Sequence, residues 1–238
     1  MATYKETAAE LSRIARRVDV VYDDGSRGWG SGFLGPTERS VITAAHVVAP
    51  IGKTARDLRI SGVAGATVKD LDRKLDLAVL ETTTPSQGTC VPGTSADLVL
   101  GEPLMFVGYP AGVTGTSVFA AVLSAHGERL VSDPACRILQ INGMINSGNS
   151  GGPVMRVGDT KVVGMITAKT VPLLQEIDRL LDILKGIPQF PSEVGIGKID
   201  FSKFVNLMTQ ALVTVSGCLR LVQVGVGYAV PLDLKFRP

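Results

Sequence analysis

An all-β chain of antiparallel barrels or sandwiches is the fold class this sequence predicts, and three observations carry that expectation. About eleven short segments are rich in β-branched residues and are bounded by Gly, Pro, Asp or Ser. Long helices do not alternate with them, which argues against a parallel α/β sheet. Apolar stripes at helical spacing are confined to two places, an N-terminal segment and a stretch from 171 to 215.

The elements follow in chain order. In residues 4–18, Ala8, Leu11, Ile14 and Ala15 recur at helical spacing. Residues 1–19 therefore read as a helical segment, packed on the protein or facing a partner. The strand segments begin with "VDVVYDD", "GWGSGFLG", "SVITAAHVV", "LRISGV", "ATVKDLD" and "LDLAVLET". They continue with "EPLMFVGYP", "SVFAAVLSAHGERL", "RILQING", "KVVGMITAKT" and "GVGYAVPLD". The interruption at 171–215 carries two stripes. Leu173, Leu174, Ile177, Leu180, Leu181 and Leu184 form one, and Phe201, Phe204, Val205, Met208, Leu212 and Val215 form the other. The Pro/Gly-containing "GIPQFPSEVGIG" joins them, so a helical hairpin is expected.

Composition narrows the function classes. The chain has 238 residues, 45% of them apolar and 19% charged, which is ample for a core. Its net charge of +2 is spread along the sequence, so neither nucleic acid nor an anionic membrane is expected as a partner. No run approaches the roughly 20 apolar residues of a membrane span. "MATYKETAAELSRIARRV" lacks the apolar core of a secretory signal. Cys90, Cys136 and Cys218 are odd in number and widely separated, so they read as reduced thiols in an intracellular, cytoplasmic protein. No CxxC or HxxxH spacing exists, and no metal or organic cofactor is expected.

The chemistry concentrates in "SGNSGGP", residues 147–153. A serine hydroxyl is a weak nucleophile at neutral pH. It needs a base to take its proton, and the base needs a third group to fix its tautomer. The chain holds two histidines. His46 ends the apolar segment "SVITAAHVV", whereas His126 lies in "LSAHGERL" and reads as a surface turn residue. Asp76 precedes the apolar run "LAVL", which makes it a better orienting carboxylate than Asp70 or Asp72. Acyl transfer also builds charge on a carbonyl oxygen, and preformed backbone N–H groups meet that charge best. Glycines beside Ser150 allow such a turn, so the amides of Gly148, Asn149 and Ser150 become oxyanion-hole candidates. Gly28, Gly30 and Gly32 imitate a dinucleotide loop, but no βαβ unit follows.

"TAAHVV", "DLAVL" and "NSGNSGGP", in this order, resemble the trypsin-like serine peptidases, and most nearly the protease domain of the HtrA/Deg branch. "GWGSGFL", "ATVKDLDRKLDLAVLET" and "LQINGMINSGNSGGPV" extend the likeness, which covers roughly 20–170 and 224–234. His46 lies 30 residues before Asp76, and Asp76 lies 74 before Ser150, separations that suit the family. The resemblance implies two antiparallel six-stranded β-barrels with a cleft between them. The first would span about 20–95 and the second about 96–238, with an N-terminal helix and a helical insertion at about 171–215. It implies a serine endopeptidase with His46, Asp76 and Ser150 as catalytic residues and a protein or peptide as substrate.

No segment resembling the family's PDZ domain occurs in these residues, and 171–215 replaces what is usually a short loop. That insertion is placed to gate the cleft, to dock a regulatory protein or to hold an oligomer together. The alternative function is therefore a partner-regulated binding module whose peptidase site stays silent until the partner arrives. Digestive relatives carry an aspartate where Asn149 stands, and an asparagine cannot pair with a freed N-terminus. The resemblance places Met144 and Ile145 at the floor of the pocket that receives the residue before the scissile bond, with Ile166, Thr167 and Ala168 as a wall. These residues carry no acid, so cleavage is expected after small or medium aliphatic residues.

Overall fold

A computed structural model describes residues 3–128, 137–169, 179–181, 183, 195–196, 199–221 and 224–236. The chain divides into two compact units, residues 1–169 with 223–238, and residues 170–222.

The first unit opens with α1 (Tyr4–Ile14), whose start is specified locally. Thr3 and Glu6 form a reciprocal capping box: the Thr3 hydroxyl accepts from the Glu6 amide, and the Glu6 carboxylate accepts from the Thr3 amide. Thr7, Leu11 and Ile14 are buried, so the helix packs on its own unit. It is shorter than the stripe through residue 18 predicts. From Ala15 the chain becomes β1 (Ala15–Tyr22), with buried Val18, Val20 and Tyr22 alternating along it. Cross-strand pairing of this period-2 segment wins over its weak helical spacing.

The first sheet has six antiparallel strands in the order β4-β1-β2-β3-β6-β5. They are β1, β2 (Arg27–Leu34), β3 (Ser40–Ala44), β4 (Ala55–Ile60), β5 (Ala66–Asp72) and β6 (Leu77–Thr82). No ladder joins β4 to β5, so this sheet is a half-barrel, and with the second sheet it makes the two-barrel fold that the sequence predicts. The second sheet follows β11-β8-β9-β10-β15-β12, and an added β11–β12 pairing closes it into a six-stranded barrel. Its strands are β8 (Pro103–Gly108), β9 (Ser117–Glu128), β10 (Arg137–Ile145), β11 (Pro153–Arg156), β12 (Lys161–Lys169) and β15 (Val224–Pro231). The short β7 (Val91–Pro92) lies parallel against β12.

Two apolar cores result. The larger joins α1 and the first sheet to Met105, Val107, Met155 and Met165 of the second. The smaller fills the closed barrel with Leu104, Phe106, Leu123, Leu139, Ile141 and Ile166. Each side chain so buried stabilises the fold by about 1.5–3 kcal/mol. Cys90 lies in the larger core, where burial pushes its thiol up to about 12. Cys90 and Cys218 form no disulfide among the described residues, and Cys136 lies outside them.

The second unit contains the two-stranded pair β13 (Gly195–Ile196) and β14 (Ile199–Asp200), followed by α3 (Phe201–Leu221). The helix runs six residues beyond the predicted stripe. Most of the first predicted stripe, from Leu173 to Leu184, lies outside the described residues.

Candidate active site

The site is built where the two sheets of the first unit meet. β3 runs into α2 (Ala45–Val48), a single turn that carries His46. The turn between β5 and β6 carries Asp76, whose backbone has φ +54°, the one positive value of a non-glycine among the described residues. Aspartate tolerates this region better than most residues, and such backbone strain concentrates at functional sites. The surroundings hold it there: the Ala45 amide donates to the Asp76 carbonyl at 3.0 Å, and the His46 amide donates to Asp76 Oδ1, also at 3.0 Å.

His46 Nδ1 lies 2.8 Å from Asp76 Oδ2. An ionised carboxylate accepts only, so this contact puts the ring proton on Nδ1 and leaves Nε2 a free base. Burial pushes the Asp76 pKa up, but hydrogen bonding and the charge of His46, together with the Thr167 hydroxyl, outweigh it and hold the carboxyl below its ordinary value of 3.8. Thr167 Oγ1 donates to Asp76 Oδ2 in a very short contact. Ser150 Oγ donates to the Thr167 carbonyl at 3.3 Å. His46, Asp76, Thr167 and Ser150 are thereby linked in one chain of hydrogen bonds, although none joins Ser150 Oγ to the His46 ring.

The serine loop is tied down by alternate groups. The amides of Asn149, Gly151 and Gly152 donate to the carbonyls of Asn146, Ile166 and Asn149 at 3.1, 2.7 and 2.9 Å. The amides of Gly148 and Ser150 have no acceptor among the described residues. Ser31, fully buried on β2, holds the loop from the other sheet. Its amide donates to the Ser150 carbonyl at 2.8 Å, and its hydroxyl donates to the Gly148 carbonyl at 2.6 Å. The same hydroxyl accepts from the Tyr109 amide at 2.9 Å. Gly151 has φ +89°, and a Cβ there would lie 1.9 Å from the Ser31 carbonyl oxygen, so only glycine fits.

The pocket candidates separate. Met144 is 55% exposed on β10, while Ile145 and Ile166 are buried in the core of the closed barrel. Thr167, expected as a pocket wall, turns its hydroxyl to Asp76 instead. Ala168 pairs with Tyr228 across β12 and β15. Asn149 is fully buried, and neither side-chain polar atom has a partner among the described residues. His126 is not in a turn: it lies within β9, opposite Leu139, with Nε2 3.0 Å from the Leu98 carbonyl. Sequence reasoning missed Ser31 and the Thr167 contact with Asp76. Each reaches a residue more than ninety positions away, and no local motif signals that.

A family model described as "Trypsin-like peptidase domain" matches residues 30–165, which contain His46, Asp76 and the Ser150 loop. The chain belongs to this family. Among curated relatives, the peptidase domain is 35% identical over 148 residues to "Serine protease HTR4" of Rattus norvegicus, covering 59% of this chain and 29% of that protein. It is 33% identical over 149 residues to "Putative serine protease HhoA" of Synechocystis, covering 59% and 37%. It is 34% identical over 140 residues to "Probable periplasmic serine endoprotease DegP-like" of Chlamydia pneumoniae, covering 58% and 28%. The matches thus span only about a third of these relatives' length. The last name gives the cytoplasmic expectation no support. Among solved structures, the fold is similar to the HtrA-type protease AlgW with decapeptide, with TM-score 0.64 and 18% identity over 98% of this chain and 65% of the other. It is also similar to Rv3671c protease from M. tuberculosis in its active form, with TM-score 0.58 and 20% identity over 69% and 74%.

Proposed function

We propose that this domain is a serine endopeptidase in which Ser150 is the nucleophile, His46 the base and Asp76 the group that orients the base. The observation that carries the reading is the grip of Asp76 on His46. One carboxylate oxygen takes the backbone amide and the other takes Nδ1, so the ring is fixed in position and in tautomer. The Ser150 hydroxyl leaves its 3.3 Å contact with Thr167 by rotating about its Cα–Cβ bond, at a cost of about 1 kcal/mol. It then meets Nε2, loses its proton and attacks the scissile carbonyl. The uncommitted amides of Gly148 and Ser150 receive the oxyanion. His46 next protonates the leaving amine, and water, deprotonated by the same ring, releases the acyl-enzyme.

Substrate residues before the scissile bond would run along Thr167–Lys169. Of the pocket candidates Met144 is the exposed one, and it carries no charge, which supports cleavage after small or medium aliphatic residues. Uncharged Asn149 offers no ion pair to a newly freed N-terminus, so no propeptide cleavage is required.

A fluorophosphonate probe should label the protein at Ser150, and Ser150→Ala should abolish both labelling and peptide hydrolysis. Labelling that survives in Ser150→Ala, or a wild type that neither labels nor hydrolyses any peptide of a broad panel, rejects the assignment.

A further inference from the structure

Beside the serine loop, on the outer face of the first sheet, lies a groove of about 420 Å³. Its charged and aromatic lining is Arg17, Asp19, Arg27, Trp29, Asp57 and Arg59. Strand register builds it. Asp19 stands opposite Trp29 on one side and Arg59 on the other, and Val21 stands opposite Arg27 and Asp57. The period-2 alternation puts both rows on one face.

The charges in this groove are unevenly satisfied. Arg17 clasps Asp19 with contacts of 2.8, 2.9 and 3.0 Å, and its guanidinium sits 5.6 Å from the centre of the Trp29 ring. Arg59 reaches Asp57 at 3.3 Å. Arg27 has no ion-pair or hydrogen-bond partner among the described residues. Trp29 is 43% exposed, large for an indole on a free surface. An exposed tryptophan among arginines, one of them unpaired, has the composition of a binding surface rather than of a merely solvated strand.

The groove is joined to the serine loop through Trp29. Its Nε1–H points at the Tyr109 carbonyl at 3.4 Å, and a Cβ on Gly148 would lie 2.9 Å from that nitrogen. A substrate whose residues before the scissile bond follow Thr167–Lys169 would carry those after it past Gly148, toward Trp29.

We propose that this groove is a subsite for acidic residues on the leaving-group side of the substrate. Arg27 receives the carboxylate as a charge-assisted hydrogen bond, and Trp29 packs against the stem of the same residue. The inference rests on the peptidase reading for its direction along the chain, but the binding it requires does not depend on turnover.

Trp29 is the sole tryptophan of the chain, so its emission reports on the groove directly. Ser150→Ala protein is titrated with peptides of equal length bearing Glu, Gln or Lys after an aliphatic residue. The Glu peptide should change the emission and bind about tenfold more tightly than the Gln peptide, the factor that one charge-assisted hydrogen bond supplies. Adding Arg27→Glu should erase that preference, and adding Arg27→Lys should keep part of it. Equal affinity for the Glu and Gln peptides, or a preference unchanged by Arg27→Glu, overturns the subsite. Wild type is assayed on the same peptides. Hydrolysis without an acidic preference rejects the subsite alone, whereas Arg27-dependent binding with no hydrolysis retains the groove and rejects the peptidase reading.

Discussion

Ser31 carries more of the site than its size suggests. One small side chain satisfies the Gly148 carbonyl and the Tyr109 amide, while its backbone holds Ser150. Ser31→Ala strands two of these groups in the interior, a loss of about 1–3 kcal/mol. Urea denaturation should read that loss, and peptide hydrolysis should fall further than stability does, because the serine loop loses its anchor. Thr167 is the second such residue. Thr167→Val keeps the shape and removes the donor to Asp76. It should lower kcat/KM about tenfold, since the carboxylate that positions His46 is then held by fewer groups. Thr167→Ser should restore the rate. A rate unchanged in the valine variant would show that His46 and its own amide suffice to hold Asp76.

Elements answer a different question, namely what the scaffold tolerates. β12 and β15 pair directly, with Lys169 opposite Gly227, yet the chain between them makes a long excursion through residues 170–222. A short loop would close the same hairpin, and loop-closure entropy grows only slowly with length. Replacing 170–222 by a short Gly-containing turn should therefore leave the folding of the first unit nearly unchanged, read as its thermal midpoint. A collapse of that midpoint would mean that the insertion is part of the core. The helix α1 behaves in the opposite way. It lies outside the residues matched by the family model, but it buries Leu11 and Ile14 in the larger core.

For the whole molecule, the Asp76 carboxyl links the site to acid stability. Its pKa in the folded state lies below the ordinary 3.8. The stability it contributes is complete above that ordinary value and is lost as the pH falls through the lower folded one. Wild type and Asp76→Asn should differ most in urea midpoint at neutral pH, and the gap should narrow as the pH falls below the ordinary 3.8. A gap independent of pH would mean that shape, not charge, makes Asp76 matter.

What the sequence determined by itself was local: the strand segments, the helical spacing of the N-terminal segment, and His46, Asp76 and Ser150 in their motifs. Each is written in neighbouring residues, as a period or a glycine turn. The closed barrel and the half-barrel, the strand that begins at Ala15, the hold of Ser31 on the serine loop and the Arg27–Trp29 groove came only with tertiary structure. All depend on strand register, and register is set by which faces bury together across the whole sheet, a balance that no short window of sequence contains.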